Sequence, residues 1–454
     1  MPIRSINPTT ERINNRYEEI SEENIKEIIK NCHKESNEWK KISLEDRAIL
    51  MGKVAFLLRE EKERYSRLMA QEMGKPVSQG RGEIEKCAWV CEHYAEQASS
   101  YLQPESLPSD ASRSYVAFRP LGVVLAVMPW NFPFWQVFRF AAPALMAGNG
   151  ALLKHSSNVP GCALAIEDLF RRAGFPDHIF RTLMIGSGSV DQVIANPLVR
   201  AVTLTGSEQA GRKVAAKAGE MLKKTVLELG GSDPFVVLPG ADLGEAATVG
   251  AHSRCINAGQ SCIAAKRFIV VGDIYDAFVE HLRRAMASLK TGNPLDEETE
   301  VGPMARGDLR EELHAQVQAS VLQGADLILG GVLPEGPGFF YPPTLLTGVQ
   351  PGMPAFDEEL FGPVAAMIRA RDVEDALQLA NQTSFGLGGS VWDKDSLRAE
   401  HLAARIEAGA VFVNGMVKSD PRLPFGGIKD SGYGRELSAY GIREFVNIQT
   451  VWVR

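Results

Sequence analysis

Apolar residues recur at the spacing of one helix face through most of the first hundred residues. Ile25 and Ile29 are four residues apart, and the same interval of three to four residues continues through the stretch 21–101. The residues Ser-Leu-Glu-Asp at 43–46 are typical of a capped helix start. We therefore predict several amphipathic helices, whose apolar faces need a sheet to pack against. We interpret their charged runs, such as 59–62, as solvent-exposed faces without site chemistry.

After Gly122 the pattern changes to short runs of β-forming residues that alternate with helical segments. Strands separated by helices of this length form βαβ units. Such units build a parallel, doubly wound α/β sheet, and its ligand lies at the carboxyl ends of the strands. The predicted strands are 123–128, 151–154, 182–185, 201–204 and 225–229.

A second alternating block extends from residue 234 to about residue 414. The stretch 330–343 is rich in Gly and Pro and predicts a loop inside this block. Since a terminal strand does not stay unpaired at low cost, we expect the C-terminal run to pair with another strand or subunit. The predicted strands are 235–238, 268–271, 365–368 and 411–413, with extended segments at 112–119 and 445–452.

Length, charge and hydropathy narrow the class of protein. A chain of 454 residues is long enough for two large domains with a small extension. Its net charge of −7 predicts no basic patch, so nucleic acid is not an expected partner. The most apolar stretch, 121–128, is too short to span a membrane, and the N-terminus lacks the features of a secretory or transit peptide. We expect a soluble, cytoplasmic protein that does not bind membranes.

The six cysteines are scattered along the chain and do not predict a disulfide framework. Cys87 and Cys91 are four residues apart, with His93 nearby. This is not the spacing of a zinc pair, and no second pair follows. We interpret both as buried helix residues and expect no metal.

One cysteine, Cys262, lies in a polar loop with small neighbours, Asn-Ala-Gly-Gln-Ser-Cys, where a substrate carbonyl can approach it. Glu228 closes an apolar segment just before Gly230 and Gly231, which leave space for a water above the carboxylate. This pattern is typical of a thiol nucleophile and its general base. The alternatives are an inert buried cysteine and a carboxylate in an ion pair at a strand end.

Five further strings accompany these two residues: Pro-Trp-Asn-Phe-Pro at 129–133, Leu-Lys-His at 153–155, a Thr-Gly-Ser turn at 205–211, Glu-Leu-Phe-Gly-Pro at 359–363 and Pro-Phe-Gly-Gly at 424–427. Together they make the chain resemble the aldehyde dehydrogenase superfamily over essentially its whole length. The resemblance implies a homodimer or a dimer of dimers, and three parts in each chain. These parts are a Rossmann-type cofactor domain at 1–100 and 121–230, an α/β catalytic domain at 231–430, and a small β oligomerisation extension at 101–120 and 431–454.

The resemblance also implies the chemistry. A cysteine thiolate adds to an aldehyde, hydride leaves to a nicotinamide, and the remaining thioester is hydrolysed. Cys262 corresponds to the nucleophile and Glu228 to the base, while Asn131 donates its side-chain amide to the developing oxyanion. A turn-forming role is the alternative for Asn131. Some relatives carry a second cysteine where this chain has Ala264, so we expect no local disulfide switch.

For the cofactor, the chain offers no G-x-G-x-x-G string. It offers the Thr-Gly-Ser turn at a predicted strand-to-helix junction, where free backbone N–H groups favour a pyrophosphate. The resemblance assigns Gly206, Ser207 and Trp130 to the pyrophosphate region, Lys154 to the adenine-ribose hydroxyls, and Glu359 with Phe361 to the nicotinamide ribose.

Ser157 bears on the choice between NADP and NAD. Relatives that prefer NAD often carry a glutamate at this position, three residues after the lysine that corresponds to Lys154. A serine leaves room for the 2′-phosphate, Lys154 supplies a positive charge, and His155 adds another if it faces inward. We therefore predict NADP as the preferred cofactor, with NAD as the second. The alternative is that Ser157 only begins the following helix.

The strings at 154–158 and 414–424 are most similar to the compact succinate-semialdehyde dehydrogenases, which implies oxidation of this small aldehyde to succinate. Arg139 lies in an otherwise apolar helical stretch and calls for a partner. We predict that it binds the distal carboxylate, with Ser419 as a hydroxyl donor and Trp135 packing against the short chain. The alternative for Arg139 is an internal salt bridge. Another small aldehyde, or a non-catalytic homologue, remains the alternative function.

Overall fold

The first hundred residues form a hairpin and four helices. The computed structural model describes residues 2–454. Its first elements are β1 (Ile3–Ile6), β2 (Ile13–Tyr17), α1 (Glu22–Trp39), α2 (Leu44–Glu60), α3 (Lys62–Met73) and α4 (Val77–Tyr101). The side chains of Ser21 and Ser43 accept hydrogen bonds from backbone N–H groups and so cap α1 and α2. The predicted helices are present, whereas the hairpin carries no periodic signal, because β2 is polar and largely exposed.

The predicted doubly wound sheet has six strands. Its elements are β5 (Val123–Met128), α5 (Trp135–Met146), β6 (Gly150–His155), α6 (Pro160–Arg172), β7 (Phe180–Thr182), α7 (Val190–Ala195), β8 (Val199–Thr205), α8 (Glu208–Glu220), β9 (Lys224–Glu228) and β17 (Gly432–Tyr433). The spatial order is β17-β9-β8-β5-β6-β7, in which only β17 runs antiparallel to its neighbour. Because β5 is buried on both faces, its sequence is a continuous apolar run.

One strand lies earlier than its predicted range of 182–185. Strand β7 ends at Thr182, although the N–H of Leu183 still donates to Leu153 in β6 at 2.7 Å. The N–H of Ile185 then turns back to bond the carbonyl of Leu183 at 2.9 Å. Leu183 and Ile185 are buried beyond the strand, which explains why this apolar run reads as part of it.

The second block forms a seven-stranded sheet. Its elements are β10 (Asp233–Val237), α9 (Leu243–Cys255), β11 (Ala265–Val271), α10 (Tyr275–Ala287), α11 (Gly307–Leu322), β12 (Asp326–Leu329), β13 (Thr344–Thr347), α12 (Pro354–Asp357), β14 (Val364–Ala370), α13 (Val373–Asn381), β15 (Gly388–Trp392), α14 (Ser396–Ala403) and β16 (Ala410–Val413). The spatial order is β12-β13-β14-β11-β10-β15-β16, with β12 antiparallel to β13 and the rest parallel. The predicted Gly- and Pro-rich loop joins β12 to β13.

A three-stranded sheet contains the C-terminal run. Its strands are β3 (Glu105–Ser106), β4 (Arg113–Pro120) and β18 (Val446–Val453), and helix α15 (Ser438–Glu444) precedes the last of them. Strand β18 pairs antiparallel with β4 along its whole length, so the terminal strand finds its partner within the same chain. Its other edge is unpaired within residues 2–454.

Residues 2–454 contain neither a membrane-spanning helix nor a candidate metal centre. No helix there is long and apolar enough to cross a membrane. No cluster of three or more His, Cys, Asp or Glu in the same range is arranged to hold a metal ion.

Candidate active site

The loop that carries Cys262 follows helix α9 and has an unusual backbone. Asn257 and Ala258 have positive φ values of 56° and 53°, a backbone conformation that residues other than glycine rarely adopt. Gly259 also has a positive φ of 73°, and a Cβ there would lie 2.2 Å from the backbone of Gly362. The close approach therefore requires glycine at this position and holds the loop against the segment that precedes β14.

Buried hydrogen bonds join this loop to the end of strand β5. The Asn257 side chain donates to the carbonyl of Asn131 at 2.7 Å and to that of Gln260 at 3.1 Å. The Asn131 side chain also donates to the carbonyl of Gln260, at 3.1 Å. Lys266 donates to the carbonyl of Cys262 at 2.8 Å. The structure thus brings Asn131 and Cys262 together on two firmly connected segments.

Cys262 lies where two cavities meet. The larger cavity has a volume of about 490 Å³ and the smaller one about 280 Å³. Cys262 and Gln136 line both of them. Cys262 is half-buried, whereas the other five cysteines are buried. Two ligands can therefore approach one sulfur atom from different sides.

The thiol of Cys262 is protonated at neutral pH in this structure. Burial raises its pKa to about 12, and the nearby positive charges of Lys266 and Arg139 oppose only part of that rise. Since the thiolate is the nucleophilic form, a base must take the proton before the sulfur can attack.

Glu228 is the last residue of β9 and is buried away from both cavities. Neither carboxylate oxygen has a hydrogen-bond partner among the described residues. Burial, followed by the negative charge of Glu436, raises its pKa well above the ordinary value for a glutamate. The carboxylate lies beside Gly426, where a Cβ would come within 2.8 Å of Oε1. The structure therefore does not bring Glu228 to Cys262, although the adjacent Leu229 and Gly230 line the larger cavity.

Arg139 lines the smaller cavity, but its charge is already paired. The guanidinium forms a fully buried ion pair with Glu436. It also donates to Thr205 Oγ1 at 3.3 Å, and it lies 4.7 Å from the centre of the Phe425 ring. The internal salt bridge, which is the alternative from the sequence, is what the structure contains, because a charge removed from water needs a nearby counter-charge. Arg139 is therefore not the unpaired cation that the sequence pattern suggests, although it does line the cavity.

Trp135 and Ser419 line the smaller cavity together with Lys86, which is not among the predicted site residues. Lys86 Nζ donates to Ser419 Oγ at 2.7 Å and lies 4.3 Å from the centre of the Trp135 ring. Loss of water lowers the pKa of Lys86 to about 8. Sequence reasoning misses this lysine because it belongs to α4, whose charged positions look like solvent-exposed faces.

The Thr-Gly-Ser turn opens onto the larger cavity. Gly206 and Ser207 lie between β8 and α8, and the Ser207 side chain accepts a hydrogen bond from the N–H of Ala210 at 3.4 Å. A Cβ at Gly211 would lie 2.6 Å from the Leu229 side chain, so glycine allows α8 to pack closely against the end of β9. Free N–H groups at the start of a helix favour an anionic ligand.

Glu359 and Phe361 line the same cavity as this turn. The Glu359 carboxylate accepts a hydrogen bond from the N–H of Gly231 at 3.1 Å, and it lies 3.4 Å from Lys266 Nζ. The Phe361 ring meets the ring of Trp130 edge-on, with the ring centres 5.8 Å apart. The structure thus groups five of the predicted cofactor residues around one cavity: Trp130, Gly206, Ser207, Glu359 and Phe361.

Lys154 and Ser157 lie at the end of β6 and line neither of the two main cavities. Lys154 is half-buried, has no ion-pair partner within the described part of the chain, and has its pKa lowered by burial. Ser157 is exposed. Helix α6 begins at Pro160, and no side chain caps it. Ser157 therefore does not begin this helix, which was the alternative considered for it from the sequence.

His155 faces inward but carries no charge. It is buried, its Nε2–H donates to the carbonyl of Pro133 at 2.9 Å, and its Nδ1 accepts from the N–H of Ser156 at 2.9 Å. Burial lowers its pKa to about 4, so the ring is neutral at physiological pH. The expectation that an inward-facing His155 adds a second positive charge is therefore wrong.

The fold and the two-cavity site define an aldehyde dehydrogenase. The sequence profile of the aldehyde dehydrogenase family matches residues 1–451, and the chain belongs to this family. The predicted fold class and enzyme class are confirmed.

The names of similar proteins give activities within this family. The chain is 48% identical over 453 residues to a probable succinate-semialdehyde dehydrogenase (NADP+) of Synechocystis sp., covering 100% of both chains. It is 48% identical over 458 residues to succinate-semialdehyde dehydrogenase (NADP+) 1 of Mycobacterium tuberculosis, again covering 100% of both. The succinic semialdehyde dehydrogenase of Streptococcus pyogenes, solved in complex with NADP+, has a TM-score of 0.97 at 37% identity over 99% of each chain. An NAD-dependent aldehyde dehydrogenase of Sinorhizobium meliloti reaches the same TM-score of 0.97 at 35% identity, over 100% of this chain and 91% of that one.

Proposed function

We propose that the protein oxidises succinate semialdehyde to succinate, with NADP+ as the preferred hydride acceptor and NAD+ as the second. One observation carries this proposal: the half-buried Cys262 lines both a large cavity with a helix N-terminus and a small cavity that is lined by cationic side chains. The names of the similar proteins from Synechocystis and Mycobacterium tuberculosis support the choice of aldehyde and of cofactor.

The larger cavity fits a dinucleotide in its chemistry. Gly206 and Ser207 offer backbone N–H groups to a pyrophosphate, and the carboxylate of Glu359 can accept hydrogen bonds from ribose hydroxyls. When bound, the nicotinamide supplies the acceptor for the hydride that leaves the aldehyde carbon.

Cys262 and Asn131 carry the first half of the reaction. The Cys262 thiol gives its proton to solvent water, and its sulfur then forms a bond to the aldehyde carbon as the C=O π bond opens and the oxygen takes the negative charge. The Asn131 amide now donates to the carbonyl of Gln260, and redirecting it to this oxyanion would contribute about 3 kcal/mol. Loss of hydride from the same carbon leaves a thioester on Cys262.

Glu228 carries the second half. Its raised pKa makes the carboxylate a stronger base than that of an exposed glutamate, so that it holds the proton it accepts from water. Since its carboxylate lies outside both cavities, the role requires the side chain to turn past Gly230 toward the thioester. Attack by the activated water breaks the C–S bond, releases the carboxylic acid and returns the thiol.

The preference for NADP+ rests on what is missing at the end of β6. Lys154 has no carboxylate partner among residues 2–454, and the exposed Ser157 brings no negative charge that would repel a 2′-phosphate. The neutral His155 leaves Lys154 as the cation of this triplet. A single charge still favours a phosphate over a hydroxyl.

The three larger sheets support the three-part division given above, with the cofactor domain at 1–100 and 121–230, the catalytic domain at 231–430 and the extension at 101–120 and 431–454. Strand β17 is the exception, because it lies in the extension range but pairs with β9 of the cofactor-domain sheet. The unpaired edge of β18 and the exposed side chains of Ile448 and Trp452 support a homodimer or a dimer of dimers. Light scattering measures the mass, and a monomer at micromolar concentration would contradict this part of the proposal.

The test of function is a panel of aldehydes assayed through the absorbance of the reduced nicotinamide. We expect kcat/KM to be highest for succinate semialdehyde and higher with NADP+ than with NAD+. Equal kcat/KM values of the parent enzyme for butyraldehyde and succinate semialdehyde would contradict the proposed substrate. A tenfold preference for NAD+ would contradict the proposed cofactor.

A further inference from the structure

Lys86 belongs to the wall of the smaller cavity and faces the same space as the nucleophile. Helix α4 presents one face to this cavity, with Gln79, Glu83 and Lys86 among the lining residues. Cys262 lines the same cavity. A small ligand whose carbonyl contacts the sulfur therefore occupies a cavity that Lys86 also lines.

The other charges deep in this cavity are already compensated. Arg139 is paired with Glu436, as described above. Glu83 is paired with the buried Lys75 and also accepts the backbone N–H groups of Phe134 and Trp135, at 2.8 and 2.9 Å. No residue from 2 to 454 thus leaves a free negative charge in the inner cavity.

Asp420, which lies next to Ser419, is also compensated, because Arg422 binds it at 2.7 Å. Lys86 itself has no carboxylate within 4.0 Å in the described part of the chain. Lys418 also lines the cavity, but it is exposed at the rim. The inner part of the cavity therefore has a net positive charge, and Lys86 is its source.

The contacts of Lys86 leave donor capacity for a ligand. An ammonium group has three N–H donors. Ser419 Oγ accepts one of them at 2.7 Å, and the Trp135 ring lies 4.3 Å away as a cation–π partner. The hydroxyl of Ser419 is in turn free to donate its own proton, because Lys86 Nζ uses the oxygen as an acceptor. Lys86 and Ser419 together can bind both oxygens of one carboxylate.

We propose that Lys86, with Ser419, binds the distal carboxylate of the aldehyde and so selects short aldehydes that end in a carboxylate. The proposal rests on the proposed function and replaces Arg139 in the carboxylate-binding role. Arg139, whose charge is used by Glu436, is then a positioning residue in the cavity wall. Trp135 packs against the short carbon chain between the two ends of the substrate.

The direct test compares succinate semialdehyde with butyraldehyde, which has the same four carbons but no carboxylate. We expect Lys86→Met to lower the ratio of the two kcat/KM values by about 10- to 100-fold, the effect of losing a charge-assisted hydrogen bond, mainly through KM for succinate semialdehyde. Lys86→Arg keeps the charge and should retain most of the preference. Lys53→Met, an exposed lysine on α2, is the matched control and should behave as the parent.

The pH dependence of that ratio gives a second readout. The charged or titratable groups around Lys86 are Arg139, Cys87, Glu83 and Asp420. Since the lysine cation is lost as pH rises through about 8, the parent's preference for succinate semialdehyde should fall over that range. In Lys86→Arg it should stay constant, because arginine remains charged. Any titration of Cys262 affects both substrates and cancels in the ratio.

Binding of succinate to the free enzyme, measured by calorimetry, does not depend on turnover. We expect it to weaken in Lys86→Met and not in Lys53→Met. A parent that prefers succinate semialdehyde, together with a Lys86→Met variant that keeps the preference, would overturn the role of Lys86 alone. A parent with no such preference would overturn the proposed function instead.

Discussion

Removal of the negative charge of Glu436 is expected to destabilise the fold more than most single substitutions. Glu436 and Arg139 form a fully buried ion pair, and without it the guanidinium keeps only the Thr205 hydroxyl at 3.3 Å and the Phe425 ring at 4.7 Å. Opposite unit charges about 4 Å apart attract by about 4 kcal/mol at an effective dielectric constant of about 20. Breaking a buried pair from one side costs about 3–5 kcal/mol. We expect Glu436→Gln to reduce the free energy of unfolding by that amount.

Thermal unfolding followed by circular dichroism measures this loss. We expect the melting temperature of Glu436→Gln to fall by about 3–5 °C. Combining it with Arg139→Met should restore part of the loss, because neither charge then remains buried without a partner. The exposed ion pair between Glu374 and Arg405 provides the matched control, and Glu374→Gln should change stability by less than about 1 kcal/mol.

Two results would refute this reasoning. One is a Glu436→Gln variant that melts within about 1 °C of the parent. The other is a double variant that is no more stable than Glu436→Gln. The double variant also separates the two cations of the smaller cavity: if it folds and still prefers succinate semialdehyde to butyraldehyde, Arg139 is not needed to bind the carboxylate.

Three further predictions concern the chemistry. Cys262→Ala is expected to abolish aldehyde oxidation, measured by nicotinamide absorbance, with an unchanged melting temperature; near-normal turnover would disprove the covalent route. Glu228→Gln should give an initial burst of reduced cofactor followed by very slow turnover in a rapid-mixing experiment, and loss of the burst as well would contradict its assignment to deacylation. Ser157→Glu should lower kcat/KM for NADP+ by about one to two decades relative to NAD+, since like-charge repulsion of about 1–3 kcal/mol acts on the 2′-phosphate. An unchanged cofactor ratio would show that position 157 does not face the phosphate.

Most strands of the two large sheets could be predicted, because consecutive buried residues give a continuous apolar run, whereas β12, β13, β15 and β17 were not predicted. The run 123–128 is apolar throughout, and β5 occupies that range in the structure with nearly all of its residues buried. Strand β2 could not be predicted in this way, because its residues Ile-Asn-Asn-Arg-Tyr are largely exposed and it is stabilised by pairing with β1. A strand that is stabilised by pairing and not by burial is not predicted by the hydrophobic pattern.

The site was predictable where it depends on short strings and not where it depends on long-range packing. Cys262 and Asn131 are 131 positions apart, yet each lies in a string of its own, so both could be found. The Arg139 partner could not be found, because Glu436 lies in no motif and almost three hundred residues away. Lys86 was not predicted as a site residue for a related reason. A single lysine on an amphipathic helix does not indicate that its face of the helix borders a cavity.

The resting position of Glu228 has a consequence for the pH dependence of the reaction. Burial and the charge of Glu436 raise its pKa, so the side chain stays protonated over a range in which an exposed glutamate is already ionised. The proposed base is the carboxylate, and it forms only as pH rises through that raised pKa. Deacylation should therefore become faster as pH rises through this range, and Glu228→Gln should lack the rise.

The Glu436→Gln variant connects this pH dependence to the ion pair. Removing the Glu436 charge leaves Arg139 as an uncompensated cation near Glu228, and both changes lower the pKa of Glu228. The rise in the steady-state rate, measured after the burst, should then move to lower pH. The burst amplitude reports acylation, and it should not follow this shift. A steady-state pH profile that is the same in the parent and in Glu436→Gln would mean that the carboxylates of Glu228 and Glu436 do not interact. The ion pair of Arg139 and Glu436 would then not influence the pH at which Glu228 becomes a base.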